Sequence, residues 1–198
     1  MPYYIRVLGT QLDRPALEQL REVASPALVD GLTEQSDLWS ELVLKHASGQ
    51  EIAIIERNET ADGLGADELA EFMEEVAETR PTSAAVWLKN YLSKVKVIYA
   101  FQLLPGTDVE DGWGKLHAIY DYVWTCAKGI LQADGEGFTN EDGFTVVWQF
   151  SETVSGPWNL AVLTNDNIWT SFEMDLSNRD QRAAFLHGEV PSGAKLVK

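Results

Sequence analysis

Apolar residues in this chain recur with two periods, and each change of period marks an element. Alternation in YYIRVLG (residues 3–9) predicts a strand with one buried face. Pro15 to Val23 reads as a helix with proline near its first turn, and SPALVDGL as a short helical turn capped by Ser25. LWSELVLKHASGQEIAIIERN then alternates on both sides of an SGQ turn, the pattern of a hairpin. From Asp67 to Glu78 the period lengthens to that of a helix. At about 100° per residue, Asp67, Glu71, Glu74, Glu75 and Glu78 share one face, and Leu69, Phe72, Met73 and Val76 the opposite one. A second helix, TSAAVWLKNYLSK, follows Pro81.

The same alternation of periods resumes in VKVIYAFQLL, a β-rich run, and in a helix from Asp111 to Lys128 closed by Gly129. GILQADGEGFTNEDGFTVVWQF reads as two strands joined by the acidic segment DGEGFTNEDG. WNLAVLTNDNIWTSFEMD is a hairpin turning at NDN. SNRDQRAAFLHG is a helix opened by Ser177 with Asp180 three residues later, and closed by Gly188. Helices interspersed with hairpins predict an α+β class: mainly antiparallel sheet with helices packed on one face.

Read as two stretches, residues 1–94 and 95–198, the order suggests an internal duplication. Each stretch runs strand, helix, hairpin, helix, proline. DELAEFM at Asp67 matches DQRAAFL at Asp180, and RPTSAA matches VPSGAK around Pro81 and Pro191. Two pseudo-symmetric β-α-β-β-α units would require Phe72 and Phe185 both to be buried.

Composition narrows the function. With 198 residues, 45% of them apolar and seven of them tryptophan, the chain has material for a sizeable core. Its net charge of −16 repels phosphate backbones and anionic headgroups, which argues against nucleic acid and membrane surfaces and favours a basic protein partner or a cation. A single cysteine, Cys126, excludes an intrachain disulfide and thiolate-rich metal sites. No leader-like or membrane-length apolar run is present, so a cytoplasmic location is expected.

Catalytic chemistry finds little to stand on. Cys126 and His117 lie nine residues apart on one predicted helix, so they point to opposite faces, and Cys126 sits at core spacing with Leu116, Ile119 and Val123. His46, His117 and His187 have no second histidine at a ligand spacing, so no metal is expected. Nucleophile-elbow, Walker and dinucleotide motifs are absent, and no cofactor is expected. Glu56, Glu136, Glu152 and Glu173 near strand ends, with Trp148, Trp158 and Trp169, leave one alternative: a small-ligand or carbohydrate binder or hydrolase.

Two acidic features remain as candidate binding residues. One is the helix face carrying Glu71, Glu74, Glu75 and Glu78. The other is the acidic segment with Asp134, Glu136 and Asp142, whose spacing fails as a calcium loop because Phe138, Thr139 and Thr145 occupy the fifth, sixth and twelfth positions. Its glycines at 135, 137 and 143 suit positive φ, and Phe138 is expected to fold back onto the sheet. Together these features favour a non-enzymatic module that binds, and by binding inhibits or neutralises, a basic partner.

Overall fold

The structure is a computed structural model; it describes residues 2–31, 38–109 and 111–197. Among these, eleven strands and five α-helices form an α+β protein whose strand pairings are mostly antiparallel. The chain divides into two compact units, and neither is a continuous stretch. The first comprises residues 1–68 and 95–131, the second 69–94 and 132–198.

In the first unit, β1 (Tyr4–Gly9) and β5 (Val97–Leu103) pair antiparallel across the intervening residues 10–96, with Tyr4 opposite Gln102. β5 also pairs with β4 (Glu51–Glu59), which forms the SGQ hairpin with β3 (Glu41–Lys45). The order runs β6-β1-β5-β4-β3-β2, where β2 is Leu28–Gly31 and β6 is Gly129–Ala133. Val97, Tyr99 and Phe101 alternate along one face of β5. They join Leu42, Leu44 and Ile55 in a core against α1 (Leu17–Ala24) and α4 (Gly112–Ala127). Ile98 and Ala100, on the other face, are buried too, so β5 reads as a continuous apolar run. Each fully buried Val, Leu, Ile or Phe side chain there contributes about 1.5–3 kcal/mol.

A turn of 3-10 helix, Pro105–Asp108, locks onto this unit through close backbone approach. A Cβ on Gly106 would collide with the Glu51 carbonyl, and one on Gly112 with the carbonyls of Gly106 and Thr107. Thr107 Oγ1 donates to Ile52 O at 2.7 Å. Glycine is what lets three backbone segments stack there.

The second unit runs β11-β10-β9-β8-β7. Its long hairpin, β9 (Pro157–Leu163) and β10 (Trp169–Asp175), turns at the expected NDN, where Asn167 has φ 58°. β8 (Thr145–Trp148) pairs with β7 (Gly137–Thr139) antiparallel and with β9 parallel. Leu160, Val162, Phe172 and Met174 make a core with Phe185 of α5 (Arg179–Leu186). α3 (Thr82–Leu92) begins directly after Pro81, as expected. α2 (Gly63–Val76) starts four residues earlier than its apolar stripe indicates and passes from one unit into the other.

Four expectations need correction. The stretch beginning SPALVDGL is extended, not helical: Leu28–Gly31 is strand β2, with Val29 buried and paired opposite Leu44; Leu32 lies outside the described residues. α4 is closed by Lys128, which takes the left-handed conformation at φ 46°. Gly129 is needed instead for contact, since a Cβ there would meet Leu8 O at 2.6 Å. α5 is capped by Asn178, whose side chain accepts from Gln181 N at 3.1 Å; Ser177 instead hydrogen-bonds Asp175 Oδ1. Cys126 is half-exposed beside Tyr122 and is not a core residue.

Candidate functional site

α2 is amphipathic, and that orients its carboxylates. Phe72 and Val76 are buried, Leu69 and Met73 half-buried, while Glu71, Glu74, Glu75 and Glu78 are exposed. Phe72 sets its ring edge against Phe138 of β7, with centroids 5.7 Å apart. Glu74, Glu75 and Glu78 gather where the helix ends, and no basic residue occupies the last turn. Carbonyls and the negative end of the helix dipole face the same way, a placement that favours cations over carboxylates.

The acidic segment is not a single connection. It contains β7, a strand of three residues whose Phe138 is fully buried, as expected of that ring. Gly135, Gly137 and Gly143 all have positive φ, at 72°, 115° and 87°. Asp134 and Glu136 lie in the turn before β7, closed by Glu136 N donating to Ala133 O at 3.1 Å. Asp142 lies in the turn after it and is exposed. Fully buried Asn140 builds that second turn: its Oδ1 accepts from Asp142 N at 3.2 Å and from Phe144 N at 3.0 Å. The three acidic residues therefore sit at opposite ends of a strand about 10 Å long.

Gln149 brings the helix and the first turn together. Its side-chain amide donates to Glu75 Oε1 at 2.8 Å, and its backbone N–H donates to Glu136 O at 3.3 Å. Next to it, Trp148 N donates to Arg80 O at 3.2 Å, which ties the segment after α2 to the same strand end. Gln149 thus links the Glu75 carboxylate of α2 to the backbone of Glu136 in the turn before β7, while Asp142 lies in the turn after β7. Nothing in the sequence marked Gln149, because its partner lies 74 residues away. Asn140 had a readable signal, an Asn opening an N-x-x-G turn.

The tryptophans and carboxylates of the carbohydrate reading have the following neighbours. Trp148 Nε1 donates to Phe150 O, and its ring lies under the Arg182 guanidinium at 4.9 Å. Trp158 Nε1 donates to Thr145 Oγ1, and Trp169 packs edge-on against Trp87. Glu152 pairs with Arg182 and Glu173 with Lys195. Glu56 lies on β4 in the first unit. His117 is exposed between the rings of Trp113 and Tyr120, and His187 ends α5. Among the described residues no three His, Cys, Asp or Glu side chains cluster to hold a metal ion, and no helix is long and apolar enough to cross a membrane. No family model, curated protein or solved structure matches this chain.

Proposed function

We propose that this protein is a non-enzymatic binding module for a basic protein partner, which it masks by docking through the acidic surface of its second unit. The observation that carries this reading is the Gln149 bridge, which joins the Glu75 carboxylate of the helix to the backbone of the acidic turn at Glu136. The placement of Glu74, Glu75 and Glu78 at a helix end adds support. Like charges crowded at the unfavourable pole of a dipole cost stability in the free protein, and a cationic partner relieves that cost on binding. The net charge of −16 would speed encounter with such a partner.

The test is capture from cell lysate on immobilised wild-type protein, against a variant with Glu71, Glu74, Glu75 and Glu78 changed to Gln. Wild type should retain a discrete basic protein that salt releases as the screening length falls to about 10 Å or less, and the variant should retain little of it. Equal retention by the variant, or no basic protein released by salt, sinks the reading.

A further inference from the structure

Among the described α-helices, α3 alone carries no carboxylate. The gap extends well beyond the helix: between Glu78 and Asp108 the sequence holds no aspartate or glutamate, yet it holds Arg80, Lys89, Lys94 and Lys96. Val86, Lys89 and Asn90, at i, i+3 and i+4, share the outward side of α3, and all three are exposed. Val86 is 59% exposed, a branched apolar side chain left in solvent. Beside it Trp87 is half-buried and stands edge-on to Trp169 of β10, with centroids 5.0 Å apart. Lys89 lies in the last turn, and Lys94 follows just beyond the helix, also exposed. Among the described residues, ion pairs hold Lys45, Arg57, Arg182 and Lys195, and none reaches Lys89 or Lys94.

We propose that this face of α3 docks a second copy of the same chain, with Lys89 and Lys94 of one copy set against Glu71, Glu74, Glu75 and Glu78 of the other. The inference rests on the reading of those carboxylates as a docking surface, and it names an occupant for them. Charge complementarity selects that occupant. A lysine arriving at the end of α2 meets exposed carboxylates and the negative pole of the helix dipole together. Both sets of residues belong to the second unit, so a two-fold axis that satisfies the pairing once satisfies it twice, and assembly stops at a dimer. The net charge of −16 opposes the approach of any two copies, and a segment without carboxylates opposes it least. Val86 and Trp87 add apolar contact, which surface ion pairs alone do not supply. A basic partner then competes with the second copy for the same glutamates.

Sedimentation equilibrium of the full chain, from about 10 μM to about 1 mM at about 0.15 M salt, tests this. Wild type should pass from monomer to dimer across that range. Lys89→Glu with Lys94→Glu should weaken dimerisation about tenfold or more. The fourfold change of Glu71, Glu74, Glu75 and Glu78 to Lys should do the same, although it lowers the net negative charge and with it the general repulsion. Mixed in equal amounts, the two variants should form a heterodimer. Val86→Ser should weaken the wild-type dimer without touching charge. Every substituted position is exposed, and cooperative melting of each variant checks that it is folded.

The proposal is overturned if wild type stays monomeric throughout the range, if the lysine variant dimerises as wild type does, or if the mixture stays monomeric. None of these outcomes depends on capture from lysate. A monomeric wild type that still captures a basic protein leaves the proposed function standing, and a restored heterodimer with no protein captured leaves only self-association standing.

Discussion

Arg57 shows how a single side chain is held in a strongly acidic protein. Its guanidinium donates to Glu59 Oε1 at 2.7 Å, to Leu12 O at 3.0 Å and to the Tyr99 hydroxyl at 3.3 Å, while Tyr99 Oη donates to Asp13 O at 3.2 Å. The chain segment before α1 is thereby fastened to β4 and β5. Arg57→Met removes the donor to the buried Tyr99 hydroxyl and should destabilise the protein by about 1–3 kcal/mol in denaturant titration. The hydrogen bond from Arg57, and then its charge, hold the Glu59 carboxyl below the usual range. In the same variant, an NMR titration should find Glu59 returned to ordinary glutamate behaviour. Asp175 makes a similar case in the second unit. Its Oδ1 accepts from the Ser177 hydroxyl and N–H and from Gly156 N, which together lower its pKa, the hydroxyl bond contributing most. Such a group stabilises the fold above its unfolded-state pKa of about 3.9 and loses that contribution as pH falls through the lower folded value. Asp175→Ala should reduce the melting temperature near neutrality, and the deficit should shrink on acidification below that window. A deficit that is constant with pH would contradict the assignment.

Among the elements, the 3-10 turn and the aromatic anchors carry the sharpest expectations. Gly106→Ala forces a methyl into the Glu51 carbonyl, and should cost about 1–3 kcal/mol, read as a lower denaturation midpoint with an unchanged slope. Phe72 and Phe185 are 7% and 0% exposed, so each Phe→Ala change should cost about 3–5 kcal/mol. Both rings are buried as the duplication requires, yet their surroundings differ: Phe72 meets Phe138, whereas Phe185 meets Phe172 and Trp148. The hairpins β3–β4 and β9–β10 were legible because alternation and turn residues are local signals. β2 was not, since one buried residue, Val29, in four cannot display a period. β7 is shorter still, and its glycines and carboxylates look like loop. Helix ends slipped by a residue because Ser177 and Asn178 are both competent caps, and only the bond from Ser177 to Asp175 decides between them. The acidic face of α2 was legible from spacing alone. Its union with the turn at Glu136 was not, because Gln149 acts through space.

At the scale of the molecule, the informative fact is that each compact unit is built from two separated segments. A division between residues 94 and 95 would strand β5, the partner of both β1 and β4, on the wrong fragment, and would take α3 away from β8 and β9. Fragments 1–94 and 95–198 should each lack cooperative thermal unfolding, and mixing them should restore part of it. A fragment that unfolds cooperatively alone would refute this. The same interleaving has a consequence for biosynthesis. On the ribosome β1 emerges long before β5, so the first unit cannot close until α4 has been made, and the second must wait for β10 and α5. At about 5–20 residues per second, the unpaired strands remain open for several seconds. Mutual repulsion among the nascent carboxylates would then keep neighbouring chains on a polysome apart, so the acidity that shapes the finished surface would also guard its assembly.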